Sequence, residues 1–248
     1  MRVINVRLSD TYGCNVESTA VLQSIKNKFP KSKINVYTKY PELVIGLKEV
    51  NKVINLNKSS LDKYDVDFKD YLKIRKPQEL KPFRHLIKHM TEIAESQLKV
   101  KLKREFNPKI NLTKKELNKS KQIVNNLSGG KPIIWLQTKT RSSKKNMPFS
   151  FWKRLIDANK EWKFIDLSSE KYDLRTSIAI TKFCDVGITL DTFLLHGSKA
   201  VGARNVIAIM VSSHKEVVTY PGNIVVQGSK INWEKSLSQV LRILEKVL

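Results

Sequence analysis

An aspartate, a hydroxyl residue and a histidine fall together in Asp191-Thr192-Phe193-Leu194-Leu195-His196, between an apolar run ending at Thr189 and a small-residue stretch ending at Gly202. A strand followed by a hydroxyl residue and a helix start is a ready anion site, because the first helical amides lack intrahelical acceptors and the helix dipole is positive there. Thr192 suits capping of that helix or donation to a phosphate oxygen. A cationic loop lies earlier: Thr138-Lys139-Thr140-Arg141 follows an apolar run, and Lys145-Asn146-Met147-Pro148 precedes a helical pattern. Lysine brings point charge to phosphate oxygens, and arginine brings a bidentate fork. Near the N-terminus, Asp10 and Glu17 flank Gly13-Cys14. A positioned carboxylate is the right group for general-base help to a hydroxyl. His85 and His89 have the four-residue spacing of a metal pair, but no carboxylate-rich partner set accompanies them, and they read as satisfied or solvated.

These residues need elements to hold them, and the sequence alternates between two periods. Short β-branched or apolar runs at 3–8, 34–38, 53–56 and 64–68 read as strands, with a helical pattern at 14–29 and a short helix at 41–47 between them. Pro30 ends the first helix. Pro77 and Pro82 bracket a basic stretch, followed by helical character at 83–100 and 113–127, the latter opened by a capping box of Thr113 and Glu116. Ser128-Gly129-Gly130-Lys131-Pro132 is the strongest breaker and the expected domain boundary. A second series follows, with strands at 133–137, 163–167, 186–189, 206–211 and 224–226 and helices at 149–158, 174–183, 193–202 and 233–248. Alternation with such short connections predicts parallel sheets covered by helices, and hence two tandem Rossmann-like domains, 1–128 and 129–248, with ligands in a cleft at the strand C-terminal edges. The last helix, with Leu237, Val240, Leu241, Leu244 and Leu248 on one stripe, is a candidate to pack back on the N-terminal domain.

Composition narrows the classes. Hydrophobic residues make up 41% of the 248, enough for packed cores. No apolar run reaches the roughly 20 residues of a membrane-spanning helix, and MRVINVRLSD reads as a first strand instead of a secretion signal. Cys14 and Cys184 lack metal-ligand spacing and read as free thiols of a reducing cytoplasm. Forty-six Lys plus Arg against 23 Asp plus Glu leave +23, a surface that attracts nucleic acid, anionic membrane faces or phosphorylated substrates. The lysines are spread without the aromatic interleaving of a single-strand binder, and a lysine-rich solvated surface explains them equally well.

Residues 188–211, ITLDTFLLHGSKAVGARNVIAIMV, resemble the Asp-Ser-x-x-x-His segment of glycosyltransferase family 9, the ADP-heptose:lipopolysaccharide heptosyltransferases and their relatives. Thr192 replaces the usual serine and keeps the hydroxyl; Val211 stands where glycine is common and leaves less room for a ligand. Ser212-Ser213-His214 occupies the place of the family's Thr/Pro-rich loop. Residues 131–156 look like the strand, polar loop, Lys-x-Trp-Pro and helix unit, with Lys145-Asn146-Met147-Pro148 for the tetrapeptide. Residues 13–38 are similar to the opening helix, Phe-Pro and strand pattern, except that Gly13-Cys14 stands for the family's Gly-Asp, whose aspartate is the proposed base. A neutral thiol is a poor base for an alcohol, which leaves Asp10 and Glu17 as the nearest candidates.

The resemblance implies the two-Rossmann GT-B fold, with a shortened N-terminal acceptor domain losing residues between about Phe68 and Phe83. It implies a C-terminal domain that holds a nucleotide-sugar through Thr138, Lys139, Arg141, Lys145, Asp191, Thr192 and His196. It further implies inverting hexosyl or heptosyl transfer without metal or other cofactor, onto an anionic glycan or glycolipid such as lipopolysaccharide. A cytoplasmic protein touching the anionic inner membrane face fits that acceptor. The basic charge keeps open a DNA-modifying glycosyltransferase or plain nucleic-acid binder, and Cys14 keeps open a relative that binds the donor without turnover.

Overall fold

The β-branched runs become short parallel strands, and helices from the connections between them pack against the sheets. The computed structural model describes residues 1–71, 83–169 and 171–248; Pro77 and Pro82 lie outside the described residues. Val3–Arg7 (β1), Lys33–Thr38 (β2), Lys52–Asn55 (β3) and Val66–Asp67 (β4) form one parallel sheet in the order β3-β2-β1-β4. Ile133–Leu136 (β5), Lys163–Asp166 (β6), Val186–Leu190 (β7), Val206–Met210 (β8) and Ile224–Gln227 (β9) form a second, in the order β6-β5-β7-β8-β9 and also parallel throughout. The α/β class with two parallel sheets is what the alternating periods predict.

In the first sheet's unit, helix α1 (Tyr12–Lys28) packs against α2 (Leu86–Leu98). The expected helix over 41–47 is instead a single 3-10 turn at Pro41–Leu43. Helix α1 departs from the amphipathic stripe its apolar spacing predicts, because residues from Cys14 to Ile25 are all buried, polar ones included. The irregular segment after α2 lies along it and supplies the partners. Lys109 N donates to Thr19 Oγ1 (2.8 Å), Glu105 N to Ser24 Oγ (3.2 Å), and Gln23 Nε2 to Asn107 O (3.0 Å). Polar side chains are tolerated there because they satisfy a backbone that has no ladder of its own.

The second unit carries α3 (Lys114–Ser128), α4 (Phe149–Asp157), α5 (Leu174–Thr181), α6 (Phe193–Val201), the short α7 (Lys215–Val218) and α8 (Trp233–Val247). Strands β5, β7 and β8 are buried at every position, as befits central strands covered on both faces. Trp135 and Gly187 are partners across the β5–β7 ladder. A Cβ at Gly187 would lie 2.1 Å from the indole, so the glycine is what lets the fully buried Trp135 lie flat on the sheet. Phe151, Trp152 and Leu155 of α4 meet Leu237, Val240 and Leu244 of α8 over one face of the sheet.

The chain divides at Met1–Asn111 and Leu112–Leu248, not at the Ser128-Gly129 breaker. Helix α3 belongs to the second unit because it packs on α5, where Arg175 grips Glu116 through Nε (2.5 Å) and an Nη (2.8 Å). The Thr113–Glu116 capping box opens α3 as expected, and Gly129 closes it in the left-handed conformation (φ 53°) that glycine adopts without penalty. The breaker is thus a helix cap leading into β5. Helix α8, the candidate to pack on the first unit, lies against α4 and β9 of its own.

Candidate functional site

Parallel strands put all their C-terminal ends, and the loops that follow, on one edge. In the second sheet the chain runs outward from β5 to β6 and then, in the other direction, from β7 to β8 and β9. The chain thus reverses direction between β5 and β7, and open sheets usually take their ligands at the C-terminal ends of strands at such a reversal. The loop after β5 carries Thr138, Lys139, Arg141 and Lys145, and that after β7 carries Asp191 and Thr192.

The structure joins these loops. Lys145 Nζ donates to Asp191 Oδ2 at 2.5 Å and to the Asp191 carbonyl at 3.3 Å. Ser213, in the loop after β8, donates its hydroxyl to the same Oδ2. The Asp191 side chain is 9% exposed and that of Lys145 34%. Burial alone would raise the Asp191 carboxyl, but the Lys145 charge and the hydrogen bonds from Lys145 and Ser213 outweigh it and hold the group below its ordinary value. Asp191 is therefore an ionised anchor that keeps an ammonium at the sheet edge, and Lys145 still reaches solvent.

Thr192 caps α6, its Oγ1 accepting from Leu194 N at 3.3 Å. Its hydroxyl hydrogen goes to Gln137 Oε1, which also receives Thr189 Oγ1 at 3.3 Å. Of the two roles open to Thr192, the structure shows the cap. His196 faces inward, buried, with Nδ1 2.8 Å from the Tyr220 hydroxyl and the rings edge to face. Thr138 donates to Asp166 Oδ2 (2.6 Å), while Lys139 and Arg141 are exposed on the same loop, which Thr140 N fastens to Asn146 Oδ1 (2.8 Å). Gln137, Ser213, Tyr220 and Asn146 went unassigned in the sequence. The one signal for Gln137 was a lone amide ending an apolar strand; Tyr220 carried none.

In the first sheet the reversal falls between β1 and β4, and Asp10 sits just beyond the end of β1. Asn15 shapes that turn from within, donating to Ser9 O and Thr11 O at 2.7 Å each and accepting from Thr38 Oγ1 at 2.5 Å. The Asp10 side chain, 40% exposed, takes a 2.8 Å hydrogen bond from Lys39 Nζ. Glu17, expected to share this space, is wholly buried in α1. Cys14 is buried beside Tyr71, its Sγ 2.5 Å from the phenol oxygen. Burial, then the nearby Glu17 charge, push its thiol up to about 11, which removes it as a base near neutral pH. His85 Nδ1 accepts from Ile87 N to cap α2, and His89 Nε2 lies 3.3 Å from the Tyr71 carbonyl, so the pair is engaged locally as the sequence reading held. Among the described residues no group of three or more His, Cys, Asp or Glu is placed to hold a metal, and no helix is long and apolar enough to cross a membrane.

No known family profile matches the sequence, and no curated protein matches it by sequence. Solved structures do match. A glycosyl transferase family 9 protein from Veillonella parvula superposes with a TM-score of 0.75 over 99% of this chain and 97% of its own, at 16% identity. The fold is that of a family 9 glycosyltransferase. The ADP-heptose lps heptosyltransferase II of E. coli superposes at 0.70 over 99% of both chains with 14% identity. The E. coli heptosyltransferase WaaC, solved with ADP, does so at 0.65 over 100% of both with 12% identity. Coverage of nearly every residue means that both units and their order match, which no single nucleotide-binding sheet would achieve.

Proposed function

We propose that this protein is a glycosyltransferase that moves a sugar, hexose or heptose, from a nucleoside diphosphate sugar to an anionic glycan or glycolipid of the lipopolysaccharide type, with inversion and without a metal. The observation that carries the reading is the Lys145 ammonium, held by the ionised Asp191 beside the N-terminus of α6. A diphosphate placed there meets the ammonium, the first amides of α6, and the exposed Lys139 and Arg141. The solved structures of matching fold include heptosyltransferases, one with ADP bound, which supports a nucleotide-sugar as donor.

The chemistry follows from that placement. The acceptor oxygen attacks the anomeric carbon as the bond to the diphosphate breaks, and negative charge accumulates on the departing phosphate. Preorganised amides and cations stabilise that charge without reorganising, and this is the protein's largest contribution. Asp191, with Ser213 behind it, positions Lys145; Gln137 and Thr192 set the helix cap; His196 with Tyr220 supports α6 from below. Asp10 takes the proton of the acceptor hydroxyl, since its carboxylate reaches solvent at a strand edge and Glu17 does not. The donor would belong to the second unit and the acceptor to the first. The reaction would proceed on the cytoplasmic side of the membrane that carries the acceptor.

A thermal-shift panel of ADP, UDP, GDP and the corresponding sugars tests this reading. One nucleoside diphosphate should raise the melting temperature. Asp10→Asn should keep that rise while transfer falls about 10²- to 10⁴-fold. If no nucleotide or nucleotide-sugar moves the transition, the reading is wrong.

A further inference from the structure

In the second unit the two most exposed large apolar side chains are Phe149, at 79%, and Ile231, at 88%. Phe149 opens α4, just past the cationic loop after β5, and Ile231 lies in the loop between β9 and α8. The two loops lie side by side. Lys230 Nζ donates to the Ser143 carbonyl at 2.7 Å, and a Cβ on Gly228 would stand 3.4 Å from Met147 Sδ. Behind them α4 and α8 pack together, with the Arg154 guanidinium 5.3 Å from the Trp233 ring centre. Phe149 and Ile231 therefore project from adjoining loops at the N-terminal ends of neighbouring helices.

Their surroundings are cationic. Lys139, Arg141, Lys144 and Lys230 are exposed on the same two loops, and no Asp or Glu occurs from Thr138 to Ser150 or from Gly228 to Trp233; the carboxylates of Asp166 and Asp191 that touch the first loop are engaged by Thr138 and Lys145. Two exposed apolar side chains on loops that also carry exposed lysines match one kind of partner, a surface with anionic headgroups over hydrocarbon. Nucleic acid fits less well, because Ile231 has no π face on which a base could stack. Self-association would bring together two chains of +23 net charge.

We propose that Phe149 and Ile231, with Lys144 and Lys230, form the face by which this protein seats on an anionic lipid surface. This deepens the glycolipid-acceptor reading and rests on it for its purpose, since a protein seated by this face is held at the membrane that carries the acceptor.

The test is sedimentation of the full chain with vesicles of phosphatidylglycerol and phosphatidylethanolamine, against vesicles of phosphatidylcholine alone. Binding should occur to the first and not the second. The double variant Phe149→Ser, Ile231→Ser should bind about tenfold more weakly, the equivalent of losing a little over one kcal/mol of apolar transfer. Both side chains are exposed, so folding and the ADP-induced rise in melting temperature should survive. Equal binding by the double variant, no binding to phosphatidylglycerol, or association confined to duplex DNA would each overturn the proposal. Vesicle binding that fails while a nucleoside diphosphate still raises the melting temperature overturns this face alone; vesicle binding with no response to ADP, UDP, GDP or their sugars overturns the donor reading alone.

Discussion

Replacing Lys145 by methionine removes the charge at the sheet edge and keeps much of the side chain's length. Asp191 then loses both contacts to the ammonium and retains the Ser213 hydroxyl. Removing one partner of a buried pair costs about 3–5 kcal/mol. Lys145 is 34% exposed, so water screens the pair and the expected cost falls to about 2–3 kcal/mol. In a chain of this size that corresponds to a melting temperature lower by roughly 5–10 °C.

The pH dependence is the sharper readout. In the parent the Asp191 carboxyl is held below its ordinary value, so the stabilisation is present at neutral pH and is lost as pH falls through the folded value. In Lys145→Met the charge and the hydrogen bond that oppose burial most strongly are gone, so the group rises from its depressed value and the ionised form loses stabilisation at neutral pH. The gap between the two proteins should be widest near pH 7 and should narrow toward pH 4. Calorimetry or urea melts at several pH values measure it, and ADP should stabilise the variant less than the parent. A gap independent of pH, with an undiminished ADP response, would refute both the ion pair and its role in binding.

Gly187→Ala should be among the most damaging single methyl additions, because the new Cβ would lie 2.1 Å from a fully buried tryptophan. Overpacking of that severity costs at least about 3 kcal/mol and should appear as a lowered urea midpoint or poor soluble yield; a midpoint equal to the parent's would show that Trp135 has room to turn. Arg175→Ala should cost about 2 kcal/mol by freeing α3 from α5. Chiefly through its hydrogen bonds from Arg175, Glu116 is held at about 2 against an ordinary 4.5. Its contribution is thus complete above about pH 4.5 and disappears as pH falls toward 2, so parent and variant should converge across that window; a constant difference would show that the pair is not what binds the helices.

Strand and helix identity, the parallel α/β class and the placement of cationic and hydroxyl residues just past strand ends were legible because they are local. A run such as Val206–Met210 has no alternative to a buried strand, and a hydroxyl before a helix has few alternatives to a cap. Where local signals misled, distant contacts had overridden them. The Ser128-Gly129-Gly130 breaker looked like a domain boundary but caps a helix that Arg175 fastens from 59 residues away. Glu17 stood beside Gly13-Cys14 as a candidate base; burial of α1 from Cys14 to Ile25 enclosed it.

Asp191, Thr192 and Lys145 stood out in the sequence as candidates for an anion site, by residue type, position beside strands and the family resemblance. What they do to one another was decided by strand order. With β7 between β5 and β8, the loops bearing Lys145, Asp191 and Ser213 converge, although 46 residues separate the first two and 22 the last two. Strand order is a property of packed sheets and leaves no trace in periodicity. The candidate residues were therefore written in the sequence, while the pairing that sets Asp191 against Lys145 was decided by the tertiary fold.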